Sequence, residues 1–156
     1  MTVKNGIDVL RAQQYQPLQG KRVGLLTNVG AVDARLSMTY RLFAATSAVE
    51  LNALFAPEHG LASTVPDGEA VNTEVDQRTG IPVYSLYGEQ KKPTADMLAD
   101  IDVLVCDIQD VGVRYYTYVW TLSYVIEAAG EHDIPVIVLD RPNPLGGYVD
   151  GAPLEQ

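Results

Sequence analysis

Four short apolar segments constrain the fold more than anything else in the chain: Arg22–Thr27, Leu51–Phe55, Val103–Asp107 and Pro135–Leu139. None shows the alternation of a half-exposed strand. Near-continuous apolar runs of this length are what strands look like when helices cover both faces of a parallel sheet. A fifth run, Pro82–Leu86, is more mixed, and Pro82 cannot donate to a ladder, which predicts an edge strand. Helical patterns lie between the strands. Ile7–Gln14 is short. Asp33–Ser47 opens on a residue suited to an N-cap and carries Leu36, Tyr40 and Phe43 on one face. Thr94–Leu98 is a turn or two with Thr94 as cap and Asp96 in the first turn. Tyr116–His132 is the long helix, with Val119, Leu122, Val125, Ile126 and Ala129 as its apolar stripe and Gly130 near its end. This β-α-β-β-α-β order predicts an α/β fold: one three-layer domain over 1–156, with an open, doubly wound, mostly parallel, Rossmann-like sheet. The stretch Ala56–Gly80 breaks the rhythm, and connections of that length are usually functional or disordered.

At 156 residues, with 47% hydrophobic and 20% charged side chains, the chain can bury a core without disulfides or metals. Eleven basic against 20 acidic residues leave a net charge of −9, which argues against nucleic acid and anionic membranes as partners. Cys106, the single cysteine, lies in an apolar strand and reads as a small buried hydrophobe. No run is long enough to span a membrane, and no signal-peptide pattern opens the sequence. The expected location is the cytoplasm, or the periplasm or exterior if an export signal has been removed.

Ligands of open parallel sheets bind beyond the carboxyl ends of the strands. Here those ends carry Asn28, then Pro57-Glu58-His59-Gly60, then Asp107 to Tyr116, then Asp140-Arg141-Pro142-Asn143. Carboxylates from three turns therefore gather at one rim. Glu58, on a constrained backbone beside an imidazole, suits general acid catalysis; it equally suits a loop carboxylate that caps a turn. Asp107 and Asp110 with Arg114 suit a polar site, and the Asp110–Arg114 spacing equally suits a structural ion pair. Arg141 beside Asp140 equally pins a strand end. Tyr115, Tyr116 and Tyr118 suit stacking on a sugar ring or plain packing. The chain lacks the glycine-rich phosphate loops and the GxSxG elbow, and its one cysteine and two histidines form no zinc pattern, so neither a metal nor another cofactor is expected.

The motifs Phe55-Ala56-Pro57-Glu58-His59-Gly60, Tyr84-Ser85-Leu86-Tyr87-Gly88-Glu89 with Lys92-Pro93-Thr94, Asp107-Ile108-Gln109-Asp110-Val111-Gly112 with Arg114 and Tyr116-Thr117-Tyr118, and Leu139-Asp140-Arg141-Pro142-Asn143-Pro144 occur in order, after Gly24-Leu25-Leu26-Thr27-Asn28. Together they resemble the bacterial exo-β-N-acetylmuramidase family. The resemblance implies a glycoside hydrolase that releases N-acetylmuramic acid from non-reducing ends of peptidoglycan fragments, with this chain as the amino-terminal, Rossmann-like half and a carboxyl-terminal domain as its partner. It implies Glu58 as the leading catalytic carboxylate, with Asp107 or Asp110 as base, nucleophile or orienter. Asp107, Asp110, Arg114 and Tyr116 would line the sugar site, and Asn28 and His59 would hold Glu58 or the ligand; Asp140 and Arg141, at the last strand's end, are further substrate-binding candidates. Retaining, inverting and substrate-assisted routes all remain open. The chain departs from the family at Leu61-Ala62-Ser63, where an arginine and a glycine are usual, and at Val29-Gly30-Ala31, where the glycine usually comes one residue later. The reading from another class is a non-catalytic sugar-binding or isolated structural α/β domain.

Overall fold

The structure is a computed structural model and describes residues 3–58, 61 and 74–152. In chain order its elements are α1 (Gly6–Ala12), β1 (Arg22–Thr27), α2 (Thr39–Ala44), β2 (Glu50–Ala56), β3 (Glu74–Val75), β4 (Pro82–Ser85), α3 (Ala95–Leu98), β5 (Val103–Asp107), α4 (Tyr118–Glu131) and β6 (Val136–Val138). The six strands form one sheet in the order β3-β4-β2-β1-β5-β6. Every neighbouring pair is parallel except β3 with β4.

Alternate side chains of the central strands go to opposite layers. Val23 and Leu25 of β1, Leu54 and Ala56 of β2, and Val103 and Val105 of β5 enter one core, with Ile7 and Leu10 of α1 and Tyr40 and Phe43 of α2. Leu26, Ala53, Phe55, Leu104 and Cys106 enter the other, with Leu98 of α3 and Val125, Ala128 and Ala129 of α4. Because both faces are covered, β1 and β5 are apolar without alternation, and each buried aliphatic side chain contributes roughly 1.5–3 kcal/mol. The result is the three-layer, doubly wound α/β arrangement. Cys106 is 1% exposed, and burial with Asp107 beside it pushes its thiol pKa up to about 12, so it packs as a hydrophobe.

Three expectations need correction. Strand β4 is not an edge: it pairs with β2 on one side and with the short antiparallel β3 on the other. Pro82 is tolerated because it is the first residue of the strand. The helix expected over Asp33–Ser47 is only α2. Asp33 instead closes a turn, its Oδ1 accepting from the amides of Arg35 (2.9 Å) and Ser37 (2.8 Å), and Leu36 within that turn has φ 62° and is 81% exposed. The buried face of α4 consists of Tyr118, Thr121, Val125, Ala128 and Ala129, while Val119 and Ile126 are exposed. Tyr118 and Thr121 can face inward because their hydroxyls find partners there, the carbonyls of Glu58 and Thr117.

The chain leaves β1 toward β2 and β4 on one side of the sheet, then crosses to β5 and β6 on the other. The order therefore reverses between β1 and β5, whose carboxyl ends are Thr27 and Asp107, paired in register. A crevice at such a switch point is the usual ligand site of open α/β sheets.

Candidate active site

Two polar groupings stand at this end of the sheet. The first is centred on Asp107, the last residue of β5, which is fully buried. Its Oδ1 accepts from Arg141 Nε (2.5 Å) and its Oδ2 from Arg141 Nη2 (2.9 Å), a two-pronged pair with a guanidinium that is itself 4% exposed. Thr39, at the start of α2, donates its hydroxyl to the same Oδ2 at 2.5 Å. Both carboxylate oxygens are thus occupied. A buried charge is tolerable only when paired and hydrogen-bonded in this way.

The second grouping is centred on Glu58, in the turn after β2. Pro57 is buried and Glu58 is half-buried. Thr117 donates its hydroxyl to Glu58 Oε2 at 2.9 Å, and the Tyr118 hydroxyl donates to the Glu58 carbonyl at 3.4 Å. The rings of Tyr116 and Tyr118 lie 4.4 Å apart at 41°. Desolvation pushes the Tyr116 phenol well above its ordinary pKa, and Tyr118, Asp110 and Glu58 all push the same way. Tyr116 therefore stands within electrostatic reach of both carboxylates.

Asp110, Arg114 and Tyr116 line one cavity of ≈ 440 Å³, together with Trp120 and Tyr148. Arg114 is exposed; its guanidinium hydrogen-bonds to the Ala152 carbonyl, at 3.4 and 3.5 Å, and makes no ion pair with Asp110 among the described residues. Gln109 ties the β5 turn to the β6 turn, donating to the carbonyls of Asp110 (2.7 Å) and Pro142 (3.0 Å). At the end of β1, Asn28 is 6% exposed and its Oδ1 has no hydrogen-bond partner among the described residues; the same holds for the buried hydroxyls of Thr27 and Ser85 at the ends of β1 and β4. Unpaired buried polar atoms of this kind are uncommon.

Of the residues expected from the sequence, Glu58 and Asp110 each lie within electrostatic reach of Tyr116, Arg114 lines the cavity with Asp110 and Tyr116, and Asp107 and Arg141 bind each other. Asn28 lies at the rim without contact to Glu58 among the described hydrogen bonds. Asp140 is exposed and joins neither group; its backbone carbonyl accepts from Gly6 N at 2.7 Å. His59 lies outside the described residues. Sequence reasoning missed Thr39 and Thr117, the hydroxyls that hold the two carboxylates. Thr117 fell inside the helix expected over Tyr116–His132 and within the motif Tyr116-Thr117-Tyr118, and nothing in the sequence marked its hydroxyl as the partner of Glu58. No cluster of three metal-ligating side chains occurs among the described residues.

Comparison with known proteins decides the family. Residues 23–156 match the family described as exo-β-N-acetylmuramidase NamZ, N-terminal. The chain belongs to the NamZ amino-terminal family. It is 47% identical over 154 residues to the peptidoglycan β-N-acetylmuramidase NamZ of Bacillus subtilis, a match that takes in 98% of this chain and 37% of that protein. Two solved structures from Bacteroides fragilis, both described as DUF1343 family proteins, share the fold. One has a TM-score of 0.86 at 49% identity, covering 94% of this chain and 36% of its own; the other has 0.80 at 31%, covering 99% and 39%. The chain thus spans well under half the length of the relatives it matches.

Proposed function

We propose that this chain forms the catalytic half of a glycoside hydrolase that releases N-acetylmuramic acid from the non-reducing ends of peptidoglycan fragments. The observation that carries the reading is Glu58: a half-buried carboxyl at the switch-point rim, held by one oxygen and flanked by two tyrosines, in a NamZ-family chain. The name of the Bacillus subtilis relative supplies the substrate class.

In this scheme Glu58 is the general acid. Its proton passes to the glycosidic oxygen as the bond from that oxygen to the anomeric carbon breaks, so the leaving sugar departs as an alcohol. Water supplies hydroxide to the anomeric carbon, and its remaining proton restores the acid. Asp110, near Tyr116 and opening on the cavity, is better placed than Asp107 to be the second carboxylate. Both oxygens of Asp107 are engaged by Arg141 and Thr39, which makes it an orienter. Arg114, whose guanidinium makes only long backbone hydrogen bonds among the described residues, is available to grip the lactyl carboxylate of muramic acid in bidentate fashion. The half-buried ring of Tyr116 and the exposed ring of Trp120 offer stacking faces for the sugar.

The test is release of N-acetylmuramic acid from muropeptides by the full-length protein and by its Glu58→Gln variant. Loss of at least about a hundredfold in kcat with the fold intact supports the assignment. A Gln variant as fast as the wild type refutes it, and would leave a sugar-binding domain as the better description.

A further inference from the structure

We infer that Thr117 is a positioning residue for Glu58, fixing which carboxyl oxygen delivers the proton; the inference rests on the catalytic reading of Glu58 given above. Thr117 occupies the N-cap of α4, where a threonine hydroxyl ordinarily accepts from an amide of the helix's own first turn. Here it caps nothing. Instead it donates to Glu58 Oε2 at 2.9 Å, across 59 residues of sequence. The Thr117 carbonyl is also engaged, accepting from Thr121 N (3.0 Å) and from the Thr121 hydroxyl (3.3 Å), so the residue that grips Glu58 is itself anchored to the helix. The first turn of α4 carries no acidic side chain, and the carboxylate that stands there comes from the β2 turn.

A hydroxyl donating to Oε2 makes that oxygen an acceptor, and the acidic proton then resides on Oε1. Tyr118 holds the Glu58 backbone from the same helix, so the first residues of α4 fix both ends of the glutamate. With two anchors on one rigid element, the carboxyl has little freedom to rotate, as a group that must meet a glycosidic oxygen at hydrogen-bond distance requires.

The experiment compares wild type, Thr117→Val, Thr117→Ser, Glu58→Gln and the double variant Glu58→Gln/Thr117→Val in the full-length protein. Valine keeps the shape and removes the hydroxyl; serine keeps the hydroxyl. Thr117→Val is expected to lower kcat by about 10- to 100-fold with KM within about twofold, Thr117→Ser to stay within about threefold of wild type, and Thr117→Val to add nothing in the Glu58→Gln background. Two results overturn the inference: a Thr117→Val kcat within about twofold of wild type, or an equal loss from that change whether Glu58 or its Gln replacement is present. Failure of the underlying reading is distinguishable. If wild type releases no N-acetylmuramic acid, the proposed function falls, and a crystal structure of Thr117→Val decides the positioning, with an unmoved Glu58 carboxyl overturning it.

Discussion

Replacing Arg141 with methionine should destabilise this domain severely without touching its hydrophobic core. Asp107 is 0% exposed and its guanidinium partner 4%, so the pair is screened by almost no water. Methionine fills similar space but leaves Asp107 with one donor, the Thr39 hydroxyl, in place of three. Removing one partner of a buried pair costs about 3–5 kcal/mol, because the remaining charge is uncompensated. For a domain of this length that corresponds to a fall in Tm of roughly 10 °C or more. Urea unfolding followed by circular dichroism measures it, with a midpoint decrease on the order of 2 M expected if the slope is typical. The double variant Asp107→Asn/Arg141→Met removes both charges and should be more stable than Arg141→Met alone by about 2 kcal/mol. A cost below about 1 kcal/mol for the single variant, or a double variant no more stable than the single, would refute the claim that Arg141 serves to neutralise Asp107.

Three further outcomes follow from the same structure. Cys106, buried and with its pKa pushed up to about 12, should resist a thiol reagent in the native state and react fully in urea; fast native labelling would contradict its placement. Gly112→Ala should cost roughly 1–2 kcal/mol in a melt, since its φ is +73° and a Cβ would meet the Asn143 side chain at 2.6 Å, which is itself held by accepting from Leu145 N. Hydrogen bonds from the Arg22 side chain and amide lower the Asp102 pKa to about 2. A carboxylate more acidic when folded than when unfolded stabilises the fold above its unfolded value, near about 4, and this support is lost as pH falls through about 2. Asp102→Asn should therefore flatten the acid limb of stability against pH, and an unchanged limb would count against the pair.

Much of the architecture is legible in the residues, for identifiable reasons. Strands β1 and β5 have the bounds expected from their apolar runs, because burial on both faces keeps their interior positions apolar and leaves the polar residues to their ends. The α4 stripe was misplaced because hydropathy undervalues Tyr118 and Thr121, whose polar atoms are satisfied inside. Asp33 looks the same in sequence whether it caps a helix or closes a turn, and only the amides of Arg35 and Ser37 distinguish the two. The edge position expected for Pro82–Leu86 failed because β3 is two residues long and sits within a stretch that carries no strand signal. At the rim, turns far apart in sequence could be expected to converge, but not which partner each would take. Asp107 chose Arg141 and Thr39, and Glu58 chose Thr117, contacts that span 34, 68 and 59 residues and leave no local trace.

The most direct test of the central claim is a crystal structure of the full-length Glu58→Gln variant with an uncleaved β-N-acetylmuramic acid glycoside. The sugar is expected at the carboxyl ends of the strands, with the substituted amide at position 58 within hydrogen-bond distance of the glycosidic oxygen and Arg114 at the lactyl carboxylate. A sugar bound elsewhere, or with its glycosidic oxygen out of reach of that side chain, would contradict the claim.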